Sequence, residues 1–372
     1  MAILSSQQSR ILQLLRYEGR LSRRQLHQRL NLRPNTVGKH VAELLEAGFV
    51  QEEAAEAQGP GRPRVPVSVD PNRLNVVGVA IRPGMVDACR LNLLGRPLGR
   101  PESEAVGQVG QTIATLGQLL GRLVNDQTCV VGLSTTGFVD PAERRILLSS
   151  ALPGQQAVSL DPVLELLGER PVVIDNDMRA LAARWMYEHH QESEEDVLLV
   201  YLDDGALGSA LLVRGRPNRG CLIGGNELGH TRFPVDTEDC YCGHQGCLER
   251  ICSTAFLHGK GSGPATLLEQ AMHYDGTQPI VDEMLDLLAT GIANQVNFIR
   301  PHHVVLVSQY TRYPAFSESL TRRIRARVLL ELAGRVQFSY WDQPVGGAGE
   351  TAGWLGLATI YSPNSTGLNV LE

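Results

Sequence analysis

Four side chains between positions 230 and 247 bring together the softest donor set in the chain. His230, Cys240, Cys242 and Cys247 offer one imidazole and three thiolates. That is the number and softness zinc takes in a tetrahedral site. Gly243 and Gly246 lie between the cysteines and let the backbone fold tightly enough for three sulfurs to converge. Protein fills all four positions and leaves none for a water, so the expected metal is one structural Zn2+ per chain. His244 is a spare ligand type, expected to be exposed in the turn. The seven cysteines are odd in number, and four of them fall within residues 240–252. In a cytosolic chain that crowding reads as metal binding, not as a disulfide framework.

Two further groups have useful chemistry. Glu227 and Glu249 flank the cysteine motif, and Asn176-Asp177 follow the apolar run Val172-Val173-Ile174. Carboxylates and amides of this kind accept from and donate to vicinal hydroxyls. Near the N-terminus, Asn35, Thr36, Lys39 and His40 share one face of an amphipathic segment. Asparagine pairs bidentately with adenine, and lysine reaches guanine or phosphate.

Those residues need elements to hold them. Ile11, Leu14 and Leu15 recur at helical spacing, and Gly19 ends that helix. Ser22 and Gln25 form a capping-box pair for a second helix, with Leu26 and Leu30 as its buried face. Pro34 suits the first position of a third helix. Val37, Val41, Leu44 and Leu45 are its stripe and Gly48 its stop. Phe49-Val50 and residues 65–69 alternate as two short strands around a polar, glycine-rich loop. The sum over residues 1–70 is a winged helix-turn-helix whose third helix enters the major groove by its N-terminal half. Arg62 and Arg64 sit on the proline-stiffened strip 59–64, which suits a minor groove.

Beyond Asp70-Pro71-Asn72 apolar strands alternate with helices. Strands are expected at 76–81, 130–134, 172–174, 197–202 and 304–307, and helices at 112–124, 178–188, 279–299 and 318–332. This is an α/β layer architecture with more than one sheet.

Net charge is −6, from 34 basic and 40 acidic residues, which speaks against a general nucleic-acid binder. The charge is uneven, however. Residues 1–70 carry ten Arg/Lys against seven Asp/Glu, and the remainder carries 24 against 33. Only the head is expected to meet a polyanion. No apolar run approaches a membrane span and no secretory signal is read at the N-terminus, so the expected location is cytoplasmic.

Glu227-Leu228-Gly229-His230, followed by Cys240-x-Cys242-Gly243-x-x-Gly246-Cys247-x-Glu249, resembles the signature of the ROK family of repressors, open reading frames and sugar kinases. With the head included, the chain resembles the family's transcriptional repressors, the group of the glucose, N-acetylglucosamine and xylose regulators. The similarity covers essentially the whole chain. It implies an actin-like, two-lobed, sugar-kinase-like body. Its first lobe would span 71–175, and its second, 176–372, would carry the zinc knuckle, with a C-terminal helix returning to the first lobe. It also implies a sugar between the lobes, contacted by Asn176, Asp177, Glu227, His230 and Glu249. In the family's kinases the aspartate matching Asp177 is the catalytic base.

The departures from the family pattern bear on activity. The family kinases open with Asp-x-Gly-Gly-Thr; here the stretch is Ala80-Ile81-Arg82-Pro83-Gly84. Proline lacks the N–H that such a loop turns toward phosphate. The second glycine-rich loop, at 204–210, has Ala206 and Ala210 in place of glycines, and the glycine pair of the adenosine site falls at Ser308-Gln309. Three losses at one ligand predict no ATP binding and no enzyme activity. In the sugar site, Ala151 and Gln155 replace an asparagine and a tryptophan, and Arg184-Trp185 stand where a glutamate is usual.

The resemblance therefore implies a DNA-binding repressor of carbohydrate uptake or catabolism genes, controlled by a sugar or sugar phosphate. It would act on double-stranded operator DNA as a homodimer or dimer of dimers, without a membrane. Two alternatives remain open at this point: a ROK sugar kinase with a DNA-binding head, and a regulator controlled by a phosphotransferase-system protein.

Overall fold

In the computed structural model, which describes residues 4–55, 65–152, 154, 157–189, 195–218, 224–342, 347–362 and 370–371, a serine opens each of the first two helices. The Ser5 hydroxyl accepts from the Gln8 N–H, and the Gln8 side chain accepts from the Ser5 N–H, which starts α1 (Ser6–Glu18). After the two-residue strand β1 (Leu21–Ser22), Ser22 and Gln25 repeat the device for α2 (Arg23–Leu30). Helix α3 (Pro34–Ala47) starts on its proline and stops at Gly48, left-handed with φ 83°. Ile11, Leu12, Leu15, Leu26, Val37, Val41 and Leu44 are buried among these helices.

Strands β2 (Val50–Glu52) and β3 (Pro66–Val69) pair antiparallel, and β1 completes a sheet of order β1-β3-β2. The wing is therefore three-stranded where two strands were expected. Leu21 and Ser22 pair with Val67 and Pro66, and two residues are too few for alternation to reveal. Residues 56–64, and with them Arg62 and Arg64, lie outside the described residues.

The chain forms two compact units, Met1–Arg184 with Gly346–Glu372, and Trp185–Val345. The first continues with β4 (Asn75–Arg82), β5 (Met85–Asn92), β6 (Glu102–Ala105), α4 (Thr112–Leu123) and β7 (Thr128–Thr135). Then come a small sheet of β8 (Phe138–Asp140), β9 (Arg145–Leu148) and β10 (Val158–Ser159), followed by α5 (Asp161–Leu164), β11 (Val172–Asn176) and α6 (Asp177–Glu188). Strands β4, β7 and β11 are parallel, and Ile81 and Asn176 both pair with Thr135. Three strands thus end at one sheet edge, the edge at which α/β sheets commonly bind ligands.

The second unit holds β12 (Val197–Asp203), β13 (Ala206–Val213), β14 (Arg216–Pro217), α7 (Leu248–Ile251), α8 (Thr254–Gly259) and α9 (Leu267–Met272). It goes on to α10 (Pro279–Ile299), β15 (His303–Val307), α11 (Pro314–Arg325), α12 (Leu330–Ala333) and β16 (Gln337–Trp341). Its sheet runs β14-β13-β12-β15-β16. Leu198, Val200, Leu288, Ile292, Val304 and Leu306 belong to its buried core.

Two sequence expectations need correction here. The helix expected over 318–332 is broken after Arg325, because the Asn297 side chain captures the connecting loop. It accepts from the Leu329 N–H at 2.9 Å and donates to the Arg327 carbonyl at 3.2 Å. The loop expected over 204–210 is mostly strand, because Asp204-Gly205 is already a complete hairpin turn between paired Asp203 and Ala206.

The first unit is completed by α13 (Ala348–Tyr361) and β17 (Val370–Leu371), which pairs with β11. Helix α13 lies on β4, β5 and β7. The contact is backbone to backbone: a Cβ on Gly78 would stand 2.1 Å from the Gly349 oxygen and the Gly353 nitrogen. Only glycine permits that approach.

Candidate metal centre and nucleic-acid interface

The metal-type cluster is built on one short turn and one tight loop. Leu228–His230 form a single 3-10 turn against β13. Gly229 lets it seat there, since a Cβ would fall 2.2 Å from the Leu207 oxygen. The cysteine loop closes through Gly243 N–H to the Cys240 carbonyl and Cys240 N–H to the His244 carbonyl, both 2.9 Å. Residue Cys247 then leads directly into α7.

These elements bring His230, Cys240, Cys242 and Cys247 together, with one ligand atom from each lying within 4.8 Å of the others. His230 Nδ1 is 3.6 Å from Cys240 Sγ, and Cys242 Sγ is 3.6 Å from Cys247 Sγ. The exposed His244 also approaches Cys242, at 3.6 Å. Cys221 lies outside the described residues, and the other six cysteines are free thiols.

The donor chemistry fits a divalent cation. Burial and the neighbouring thiols push Cys247 up to about 12, and burial raises Cys240. Burial first, then Arg250 and His244, lowers His230, so its imidazole stays neutral. Without a cation the Cys240 and Cys247 thiols hold their protons; a bound cation reverses that preference.

Glu227 and Glu249 border the same cluster. Glu227 Oε2 is 3.9 Å from His230 Nε2, and Glu249 Oε2 is 3.9 Å from Cys240 Sγ. Burial raises the Glu249 carboxyl, and Arg250, at 3.3 Å, opposes the shift. Tyr241 was not singled out from sequence, yet its hydroxyl is 3.0 Å from His230 Nε2. An aromatic residue between two metal-type cysteines was the only signal for it.

Asn176 and Asp177 belong to the other unit. The Asn176 side chain accepts from the Arg179 N–H at 2.9 Å, and Asp177 Oδ1 accepts from the Met178 N–H at 2.8 Å. Both thus help start α6. Asp175 accepts from Arg179 Nε at 2.7 Å in a buried ion pair. Pro83-Gly84 form the turn between β4 and β5, and Arg82 Nε donates to Asp87 at 2.5 Å.

In the second unit, Gln309, at the position matching the adenosine-site pair, and its neighbour Tyr310 are bonded to the end of β12. Asp203 Oδ1 accepts from Gln309 Nε2 at 2.9 Å and from the Tyr310 hydroxyl at 3.2 Å. Burial and the Asp203 carboxylate hold the Tyr310 phenol protonated.

In the head, Asn35 and Lys39 are exposed and Thr36 is half-buried on the first turns of α3. His40 is used inside the head: Nε2 meets Gln7 Oε1 at 2.7 Å and Nδ1 meets Glu43 Oε2 at 3.0 Å. It joins α3 to α1. Arg24 and Arg33, which sequence reading passed over, are exposed and form no ion pair among the described residues. Arg33 immediately precedes α3 and Arg24 lies in the first turn of α2, which was the available signal.

Comparison with known proteins adds to this geometry. The profile of the ROK family matches residues 80–362, and a profile of winged helix-turn-helix DNA-binding domains matches 4–51. The xylose repressor of Caldicellulosiruptor bescii is 23% identical over 342 residues, covering 82% of this chain and 84% of that protein. An N-acetyl-D-glucosamine kinase of Photobacterium profundum is 27% identical over 241 residues, covering 59% and 78%. A ROK family transcriptional regulator, homologous to the Escherichia coli MLC protein, superposes with a TM-score of 0.77 at 18% identity over 96% of this chain and 97% of that one. A ROK family glucokinase from Streptomyces griseus, in complex with glucose and AMPPNP, gives a TM-score of 0.60 at 20% identity over 75% and 97%. At these identities the structural likenesses establish the fold.

Proposed function

The chain belongs to the ROK family and carries a winged helix-turn-helix head; from that premise we propose that it represses genes of carbohydrate uptake or catabolism, under the control of a sugar or sugar phosphate. The observation that supports the reading is a winged head on a body that carries Arg82-Pro83 in its β4–β5 turn, Ala206 and Ala210 in β13, and Ser308-Gln309 after β15. Asn35, Thr36 and Lys39 read the major groove from the first turns of α3, while Arg24 and Arg33 hold phosphates. His40 positions the reading helix. Two copies present two heads to two half-sites.

Asn176, Asp177, Glu227, His230 and Glu249 supply hydroxyl-binding groups to the effector. One zinc per chain, bound by His230, Cys240, Cys242 and Cys247, would fix both the turn that Glu227 opens and the start of α7, where Glu249 lies. The effector acts by preferring one of two conformations, which changes the hold of the heads on DNA.

The kinase relatives favour a second reading, a sugar kinase with a head. One pair of measurements separates the two: operator retention by the full chain with a panel of sugars and sugar phosphates, and sugar-dependent ADP formation on the same panel. A regulator releases or gains DNA with one sugar and forms no ADP. Sugar-dependent ADP formation lost in Asp177→Asn overturns that reading.

A further inference from the structure

His230 presents two ring nitrogens to two different surroundings. Nδ1 faces Cys240 Sγ at 3.6 Å, within the cluster of three sulfurs. Nε2 faces the Tyr241 hydroxyl at 3.0 Å, and the Tyr241 ring meets the imidazole edge to face, with centroids 5.1 Å apart and planes at 73°. Glu227 is farther from that nitrogen, at 3.9 Å.

We propose that Tyr241 is the positioning residue of the metal centre: its hydroxyl oxygen accepts the Nε2–H of His230 and locks the tautomer whose Nδ1 lone pair faces the three sulfurs. The inference rests on the metal reading given above. A neutral imidazole carries one proton, and a ligating Nδ1 requires it on Nε2. That N–H points at Tyr241. An acceptor at this distance fixes both the tautomer and the ring plane, and partners of this kind commonly raise metal affinity by about 10- to 100-fold.

The same bond bears on the effector. The edge of His230 left over by the metal is the edge a sugar hydroxyl would use, and Tyr241 occupies it. An effector hydroxyl must therefore displace the phenol or be held without the His230 ring. Tyr241 sits between Cys240 and Cys242, so its displacement pulls on the backbone between two metal ligands. Effector contact and metal retention share one residue.

The test uses the full chain. Zinc affinity is measured by competition with a chromogenic chelator, and the His230 ring nitrogens are read by long-range proton–nitrogen NMR. Tyr241→Phe keeps the edge-to-face ring and removes only the hydroxyl. It should raise the zinc dissociation constant by about 10-fold or more and shift the Nε2 resonance, with an unchanged melting temperature in excess zinc. Tyr241→Leu, which also removes the ring, should weaken zinc further. Equal zinc affinity and equal nitrogen shifts in wild type and Tyr241→Phe overturn the role of Tyr241 while leaving the metal centre intact. Absence of zinc binding by the wild type instead overturns the metal reading, and this inference with it.

Discussion

The guanidinium of Arg16 stands over the indole of Trp354, 4.8 Å from the ring centroid, and 5.3 Å from the ring of Tyr361. Arg16 lies on α1 of the head, and both rings lie on α13. Trp354 is seated against Gly95, where a Cβ would meet the ring at 2.3 Å, and the Tyr361 hydroxyl donates to the Leu93 carbonyl at 2.6 Å. The DNA-reading module is thus clamped to the helix that covers the first sheet.

Removing the cation should loosen that clamp. A partly desolvated cation–π contact contributes about 1–2 kcal/mol, so Arg16→Gln should speed amide exchange along α1 by roughly tenfold. Unchanged exchange would show that apolar packing alone docks the head.

Lys39→Ala, Arg24→Ala and Arg33→Ala should each weaken DNA binding, and the two arginine variants should each lower the slope of log K against log salt by about one. Asn35→Ala should instead cost about 1–3 kcal/mol of discrimination at one base pair. Fluorescence anisotropy across a salt series distinguishes the two kinds of loss. If His40→Ala lowers head stability before it alters base preference, His40 acts as the strut its two bonds describe.

Elemental analysis of the purified chain should find one zinc, and Cys242→Ser should lower both metal content and the melting temperature of the body. A drop on the order of ten degrees is expected, because metal held only by the folded chain adds to folding stability. A zinc-free protein with the wild-type melting temperature contradicts the assignment.

Alkaline pH should destabilise the first unit. Burial pushes the Cys89 thiol up to about 11 and Cys129 up to about 12, against an ordinary thiol value of 9.0. The folded state holds these protons more tightly than the unfolded chain. The stabilisation is therefore present in full below about pH 8.5 and is lost as pH rises toward 11–12. Melting temperatures between pH 8 and 11 should fall in wild type and fall less in Cys129→Ala when each is compared with its own value at pH 8. Equal slopes would remove Cys129 from the account.

Glu227→Ala should abolish the effector response while leaving zinc content and effector-free DNA affinity nearly unchanged, since the side chain is part-exposed and its removal empties no core. Operator affinity with and without the effective sugar is the measurement. A sugar response intact in both Glu227→Ala and Glu249→Ala would move the effector to another site.

The elements with strong local signals were legible from sequence. Ser22 with Gln25, Pro34 and Gly48 bound the head helices where their cap chemistry places them, and Pro279 with a long apolar stripe gave α10. Strands β5 and β13 were harder, because Pro83-Gly84 and Asp204-Gly205 were read as loops that had lost ligand contacts and also act as hairpin turns. The break after Arg325 depends on Asn297, far away in sequence. The cysteine spacing pointed to the cluster, but nothing local tells that Tyr241 would face Nε2 or that both nitrogens of His40 would be bonded within the head. Such pairings are set by tertiary packing.

The glycine-floored seat of α13 also imposes an order in time. Tyr361 and Leu93 are 268 residues apart in the chain yet share a hydrogen bond, and Gly78 lies bare until Gly349 and Gly353 arrive. At the usual 5–20 residues per second, a ribosome needs roughly 15 to 50 seconds to make that stretch. Throughout that interval the nascent first sheet exposes an apolar face, and the head, already synthesised, has no Trp354 to dock on. The young chain thus passes through a stage with the kind of exposed apolar surface that chaperones cover, and slowing translation late in the message should increase its aggregation more than slowing it early.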